Sequence, residues 1–254
     1  MKNVKLLNQN KNFYFLTSIP RSGITLLSAL VNQSKQLKIS PNSILPTLLK
    51  SFFESKNDLI FKNFPNHKAL DRCAKNLFNE YYATVNAPNI LDRSAWGRKD
   101  YLPMLQHLFK ERKFVLLLRP IIECVASFIK TENPTDPENR CNELLCEGGI
   151  INNNVISVRN IIDNNENYLI IKYEDLILNP QNQINRLFSF LDLEQEVVNT
   201  HNFNQFEFDG IRYNDDVLPA NIHTIRTNKV EKIDYDVYRY IPQTIINKIK
   251  NLKL

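Results

Sequence analysis

Residues 17–27 read T-S-I-P-R-S-G-I-T-L-L, and they directly follow an apolar run at residues 13–16. That run has the length of a short buried strand, and the apolar residues after the quoted stretch recur at helical spacing. Pro20 stiffens the turn between the two elements, Gly23 permits a positive φ, and Thr25 is expected to begin the helix. Backbone N–H groups and the helix dipole favour an anion at such a turn, so the stretch predicts a phosphate-binding strand–loop–helix unit.

The stretch differs from the P-loop that holds ATP. That loop reads G-x-x-x-x-G-K-[ST]. Here Ser18 stands in place of the first Gly, and Ile24 stands in place of the Lys. Arg21 supplies a charge before the glycine instead, and Ser22 and Thr25 supply hydroxyl groups.

Further apolar runs at residues 114–118 and 168–171, and a weaker one at 89–91, predict more strands, and helical patterns follow the first two. Repeated strand–helix units predict an α/β fold with three layers, of P-loop type, in which a central parallel sheet is flanked by helices. The third strand is expected to end in Tyr173-Glu174-Asp175, and Pro180 to open the next helix. Four more stretches are predicted to be helical in whole or in part: 41–82, 95–112, the end of 132–149, and 245–252.

Length and composition indicate one soluble domain over residues 1–254, with a core at 12–192 and a loop-rich C-terminal part at 193–254. Hydrophobic residues make up 43% and charged residues 23%, and the net charge is +5. This mild excess favours an anionic ligand, but no Lys/Arg run is dense enough to indicate nucleic acid. The four cysteines lack zinc or redox spacing, so we expect reduced thiols and no metal site. The chain shows no signal peptide and no run that could span a membrane, so we expect a cytoplasmic protein.

A second constellation follows the strand at 114–118. Arg119 stands at its carboxyl end, where ligands bind in open parallel sheets. Ser127 lies off the apolar face of the next helix, with Glu123 and Lys130 at helical spacing from it. Arg119, Ser127 and Lys130 are therefore expected to converge on a second phosphate.

Together these segments resemble the PAPS-dependent sulfotransferases (PAPS is 3′-phosphoadenosine-5′-phosphosulfate), most closely the tyrosylprotein-like and the bacterial or viral members. The 5′-phosphosulfate loop of that family reads P-[RK]-S-G-T-T-x-L, and residues 20–27 match it with Ile24 in place of one Thr. The 3′-phosphate motif of the family is an Arg at a strand end with a Ser eight residues later, as at Arg119 and Ser127. The family's Y-E-D-L strand end matches the residues from Tyr173 onward.

The resemblance implies transfer of a sulfuryl group from PAPS to a hydroxyl of a carbohydrate, small molecule or peptide tyrosine, with release of PAP (3′-phosphoadenosine-5′-phosphate) and no need for a metal. Arg21 is then a catalytic cation, and Arg93 a second one where relatives often have Lys. A basic C-terminal loop that closes over the 3′-phosphate would contribute Arg226. The implied cofactor contacts are Arg21, Ser22, Gly23, Ile24, Thr25, Leu26, Arg119, Ser127, Tyr173 and Arg226.

The general base is open between Asp92, His67 and His223. The tyrosylprotein branch has a Glu soon after the first helix, but residues 28–53 here contain no acidic residue. Glu174 and Asp175 are expected to organise the site from behind. Two alternative functions are a non-catalytic PAPS- or PAP-binding protein and a P-loop-type small-molecule kinase.

Overall fold

The computed structural model describes residues 10–214, 223–225, 229–231, 236–250 and 252. The described residues form a five-stranded parallel sheet in the order β2-β3-β1-β4-β5. The strands are β1 (Asn12–Ser18), β2 (Leu37–Asn42), β3 (Asn89–Arg93), β4 (Lys113–Leu118) and β5 (Asn167–Lys172). Arg226 of the predicted lid lies outside the described residues.

Helices connect the strands and follow the last one. They are α1 (Ile24–Val31), α2 (Leu45–Glu54), α3 (Leu59–Asn63), α4 (His67–Tyr81), α5 (Leu102–Leu108), α6 (Ile121–Glu132), α7 (Pro137–Leu145), α8 (Ile150–Asp163), α9 (Tyr173–Leu178), α10 (Pro180–Phe190) and α11 (Gln243–Lys250). Short 3₁₀ turns lie at Ser55–Asn57 and Val237–Arg239. No helix among the described residues has the length and apolar character that crossing a bilayer requires.

Alternating side chains on the strands separate two cores. On β1, Leu16 faces the core that includes apolar residues of α1 and α10, whereas Phe15 faces the aromatic core with residues of α2, α4, α5 and α8. This period-two alternation is what a strand buried on both faces requires. The result is the predicted three-layer arrangement of helices, parallel sheet and helices.

The strand order creates a crevice at one edge of the sheet. β1 lies between β3 and β4, with Leu16 beside Arg93 and Ser18 beside Leu117. After β1 the chain moves outward to β2, and after β4 it moves the other way to β5. Loops that leave two neighbouring strands in opposite directions open a crevice at their carboxyl ends, where ligands bind in sheets of this kind.

Four strand predictions were confirmed, and the edge strand β2 was missed. β2 has the sequence L-K-I-S-P-N, and its last two residues fall within a stretch predicted to be helical. Among the described strands it pairs only with β3, with an irregularity between Ile39 and Asn42. Pro41 is tolerated there because an edge strand leaves backbone N–H groups outside the ladder.

One helix prediction and one strand boundary need correction, and one helix was missed. Helix α5 covers only Leu102–Leu108 of the predicted 95–112. Residues 94–101 form turns, and the helix begins beside Pro103, in its first turn. The strand predicted to run to Asp175 stops at Lys172, and Tyr173 opens the short helix α9. Helix α8 was not predicted, although Ile151, Val155, Val158 and Ile161 are buried at helical spacing. The helix at Pro180 and the helices at the end of 132–149 and near 245–252 were confirmed.

Candidate functional site

A cleft of about 700 Å³ opens at the carboxyl ends of β1 and β4. Its volume lies in the range of small-molecule and cofactor sites. Its wall includes Arg21, Arg93, Arg119, Lys130 and Lys229, together with the hydroxyl groups of Thr25, Ser127 and Thr131. With Arg140 the lining has six cations against two carboxylates, Glu132 and Glu231, and this positive excess fits a ligand with more than one anionic group.

The loop before α1 is shaped by close packing of Gly23 under Tyr173. Gly23 is the N-cap of α1 with φ +90°, in the left-handed region. A Cβ at this position would lie 2.6 Å from Cδ2 of Tyr173. Glycine is therefore required both by the backbone conformation and by the ring above it. Without a side chain, it leaves the backbone N–H groups of the first turn of α1 open to the cleft, as an anion site needs.

Ser22 has a different position from the one predicted. It is fully buried, its backbone N–H donates to the carbonyl oxygen of Ile19, and it does not line the cleft. Its Oγ has no hydrogen-bonding partner among the described residues. Pro20, Arg21, Gly23, Ile24, Thr25 and Leu26 do line the cleft, so the predicted loop forms its floor through these residues.

Arg119 ties the loop to the end of β4. Its Nη1 donates to the carbonyl oxygen of Arg21 at 3.1 Å, and its Nε pairs with Glu123 at 2.8 Å. Its Cζ lies 4.2 Å from the centroid of the Tyr173 ring, and its side chain is only 9% exposed. Burial raises the pKa of Tyr173, while the Arg119 charge acts to lower it. One guanidinium therefore fixes the loop, the ring and the start of α6 together.

The Arg21 side chain extends toward α6. Its Nε donates to Ser127 Oγ at 3.1 Å, and its Nη2 donates to Thr131 Oγ1 at 3.2 Å. Its backbone has φ +70°, which is uncommon for a residue with a side chain. Arg21, predicted to serve the 5′-phosphosulfate, thus has its guanidinium beside Ser127, which was predicted to serve the 3′-phosphate. Thr131 was missed, although it stands one helical turn after Ser127.

Arg93 reaches the other side of the cleft. Its Nη1 donates to the hydroxyl oxygen of Tyr213 at 3.0 Å. The Tyr213 ring stacks on His223 with centroids 3.7 Å apart and planes 7° apart. All three residues line the cleft. No sequence signal marks Tyr213, because its contact with Arg93 joins residues that lie 120 positions apart.

Of the three predicted bases, only His223 lies in the cleft. His67 is exposed at the start of α4 and has an edge contact with Phe61. Asp92 is fully buried and accepts from Ser43 Oγ and Trp96 Nε1, both at 2.8 Å, and from the Tyr82 hydroxyl. Burial raises its pKa to about 6. Asp92 therefore braces the backbone beside Arg93 from within the core. Glu174 and Asp175 also lie outside the cleft lining.

We expect the Asp92 carboxyl to affect both the free energy of unfolding and its pH dependence. Asp92→Ala strands three buried donors, so the free energy of unfolding should fall by at least about 3 kcal/mol. Because its folded pKa of about 6 exceeds the ordinary 3.8, the carboxyl favours folding at low pH, and this contribution is lost as the pH rises through 6. Denaturant unfolding should show wild type losing about 3 kcal/mol relative to Asp92→Asn between about pH 4 and about pH 7. A relative gain over that interval would contradict this assignment.

Replacing Gly23 tests the packing of the loop under Tyr173. A side chain in the left-handed region costs about 1–2 kcal/mol, and the clash with Tyr173 adds about 1–3 kcal/mol. Gly148→Ala is a matched control, because Gly148 has φ +85° and nothing within 4 Å of an added Cβ. Unfolding curves should therefore show a larger loss of stability for Gly23→Ala than for Gly148→Ala. Equal losses would mean that Tyr173 does not constrain the loop.

Metal binding has no local support in the described part of the chain. No group of three or more His, Cys, Asp or Glu side chains there is arranged to hold a metal ion. The expected independence from metal stays a prediction.

Known proteins similar to this chain share the family that the residues of the cleft indicate. The family model described as "Sulfotransferase domain" matches residues 12–234. A Caenorhabditis briggsae protein named "Putative protein-tyrosine sulfotransferase" is 24% identical over 205 residues, which is 77% of this chain and 71% of that protein. The match to the family model therefore spans both the phosphate-loop region and much of the C-terminal part.

Solved structures share the fold. The sulfotransferase domain from the curacin biosynthetic pathway has a TM-score of 0.60 at 17% identity, over 97% of this chain and 93% of that chain. Mouse sulfotransferase SULT7A1, whose structure is a complex with PAP, has a TM-score of 0.53 at 13% identity, over 96% of this chain and 83% of that chain. At these identities the likeness shows the common architecture of central sheet and flanking helices.

Proposed function

The chain belongs to the sulfotransferase family, and from this premise we propose that it transfers a sulfuryl group from PAPS to a hydroxyl acceptor and releases PAP. The observation that carries the proposal is the convergence of Arg21, Arg119 and Ser127 on the loop capped by Gly23. One cleft thus offers two anion sites, one at the N-terminus of α1 and a separate one at Arg119 and Ser127. PAPS carries two such groups, at its 5′ and 3′ positions.

We propose that the 5′-phosphosulfate binds the loop formed by Gly23, Ile24, Thr25 and Leu26, where the first turn of α1 presents its N–H groups. Ser127 and Arg119 serve the 3′-phosphate, and Arg21 lies between the two groups. Tyr173 covers the loop and holds Arg119 in place through its ring. In the wider proposal, residues 1–254 are one domain, and Arg226, which lies outside the described residues, is a further contact of the 3′-phosphate.

In the chemical step, the acceptor oxygen attacks sulfur as the bond from sulfur to the 5′-phosphate oxygen breaks. Negative charge then grows on the departing oxygen and on the sulfuryl oxygens. Arg21 and Arg93 are the cations of this chain that we place beside that charge. Each such donor stabilises the transition state by about 2.7–4 kcal/mol when its position is fixed before the reaction. The hydrogen bond from Arg93 to Tyr213 fixes one of the two.

Proton removal from the acceptor falls to a different group, because Arg keeps its proton. We assign this role to His223, which lines the cleft on the same side as Arg93. The acceptor itself is a hydroxyl of a carbohydrate, a small molecule or a peptide tyrosine. The name of the nematode relative supports the last of these.

The free thiols of the buried Cys124 and Cys141 support a reducing compartment, and we propose the cytoplasm. Burial raises the pKa of the Cys124 thiol to about 12. It therefore stays protonated and packs as a small apolar residue.

The test of turnover is a transfer assay with radiolabelled PAPS over a panel of sugars, small phenols and tyrosine peptides. The proposal expects label on at least one hydroxyl acceptor and release of an equal amount of PAP, with a chelator present. PAP binding without any transfer would instead favour the non-catalytic binding protein. Phosphoryl transfer from ATP with magnesium would favour the kinase.

A further inference from the structure

A tyrosine of the chain itself occupies the acceptor side of the cleft. The Tyr213 hydroxyl oxygen accepts a hydrogen bond from Arg93 Nη1 at 3.0 Å. Arg93 ends β3, the strand next to β1, and the backbone N–H of Ser94 donates to the carbonyl oxygen of Leu16. The phenol therefore stands within the same cleft as the phosphate loop, at the cation to which we assign the developing charge.

A tight turn places Tyr213 there. Phe208 and Ile211 form an antiparallel bridge with two mutual backbone hydrogen bonds, at 2.9 and 3.0 Å. Asp209 and Gly210 between them both have positive φ, at 50° and 75°. This is the Asp-Gly turn typical of a two-residue hairpin, and it reverses the chain abruptly.

The turn is anchored to the body of the protein. Phe208 has an edge contact with Tyr82 at 5.9 Å between centroids, and Thr84 donates to the Asp209 carboxylate. Past the turn, the Tyr213 ring contacts Phe206, with centroids 5.2 Å apart, and stacks on His223, with centroids 3.7 Å apart. Ring contacts of this kind hold a side chain in one orientation. The phenol is thus a tethered and oriented group beside Arg93.

We propose that Tyr213 is an acceptor and that the protein sulfates itself at this residue. The inference rests on the proposed function. The phenolic oxygen of Tyr213 forms a bond to sulfur, and the bond between sulfur and the 5′-phosphate oxygen of PAPS breaks, so that PAP leaves with the electron pair. The product is a tyrosine sulfate ester on the chain.

The phenolic proton passes to solvent water in the open cleft. Arg93 has no acceptor atom for it. The imidazole of His223 lies parallel to the phenol, so its one basic lone pair, which lies in the ring plane on the unprotonated nitrogen, is not directed at the Tyr213 O–H. Arg93 stabilises the phenolate as it forms. No oxidant or further reactant enters the balance.

A tethered acceptor changes the kinetics that are expected. The reacting groups belong to one molecule, so transfer has the effective concentration of an intramolecular reaction and needs no added acceptor. The rate of modification per chain should therefore be independent of protein concentration. The sulfated product would also fill the acceptor side of the cleft with a charged group paired to Arg93.

The experiment incubates the purified protein with PAPS alone and follows intact mass and peptide maps. The expected result is a mass increase of one sulfuryl group per chain, located on Tyr213, at a rate that does not change when the protein is diluted tenfold. Tyr213→Phe should stay unmodified. Tyr238→Phe, which changes an exposed phenol outside the cleft lining, should be modified like wild type.

Calorimetry with PAP on wild type and Tyr213→Phe separates the outcomes. If both bind PAP, wild-type Tyr213 gains no mass and label still reaches an acceptor of the panel, self-sulfation is wrong and the proposed function stands. Mass that appears on Tyr238 as readily as on Tyr213, or a rate that falls with dilution, would also overturn the inference. If wild type does not bind PAP, the proposed function fails first and the inference fails with it.

Discussion

Replacing Arg119 with Ala should weaken PAP binding at least about 100-fold, a loss of about 2.7 kcal/mol. Arg119 holds the loop through the Arg21 carbonyl, packs on the Tyr173 ring, and is itself proposed to contact the 3′-phosphate. Its removal also takes a cation away from the Glu123 carboxylate beside the anion site. Loss of one partner of a hydrogen-bonded charge pair, here the proposed pair of Arg119 and the 3′-phosphate, costs about 2–5 kcal/mol. Titration calorimetry with PAP measures the change directly.

Arg72→Ala is the matched control for this experiment. Arg72 is exposed on α4 and does not line the cleft, so the same change in charge should leave PAP affinity within about twofold of wild type. Circular dichroism of both variants checks that the fold is retained. An Arg119→Ala variant that is folded and binds PAP like wild type would remove Arg119 from the proposed 3′-phosphate site.

Replacing Arg93 with Ala should lower kcat about 100- to 1000-fold, while PAP affinity stays near that of wild type. Arg93 is held by Tyr213 on the acceptor side, away from the contacts that join Arg21, Arg119 and Ser127. It is therefore assigned to charge that develops only in the transition state, and its loss should affect turnover more than donor binding. PAP release with the best acceptor of the panel, together with PAP calorimetry, separates the two effects.

Arg98→Ala provides the control for Arg93. Arg98 follows the same strand, but it pairs with Asp100 and does not line the cleft. Its kcat should stay within a few-fold of wild type. If Arg93→Ala weakens PAP binding and leaves kcat unchanged, Arg93 is a donor-binding residue and another cation must act on the transferred group.

The phosphate loop and the parallel sheet were predictable because their signals are local. A buried strand, a glycine with positive φ and an amphipathic helix follow one another within about twenty residues, and this order specifies the geometry of the turn. Arg119 could be placed for the same reason, since it follows an apolar run directly. The strand order then brings Arg21 and Arg119 together, because both follow strands that lie side by side.

Other parts of the site depend on contacts between distant segments. β2 has only two buried apolar residues and contains a Pro, so its pairing at the sheet edge outweighs a weak local pattern. Tyr213 reaches Arg93 through a hairpin that is anchored on Thr84. Both the Arg93–Tyr213 contact and the Thr84–Asp209 contact join residues more than a hundred positions apart. The Arg21 guanidinium likewise takes its direction from α6, which the loop sequence does not specify.

The central claim is that the cleft binds the donor of a sulfotransferase. Calorimetry of the wild-type protein with PAP in the presence of a chelator tests it most directly, with ATP and magnesium as the competing ligand pair. We predict that PAP binds at one site per chain without metal and that ATP with magnesium does not displace it. Absence of PAP binding by the folded protein, or binding of ATP with magnesium in preference to PAP, would contradict the account.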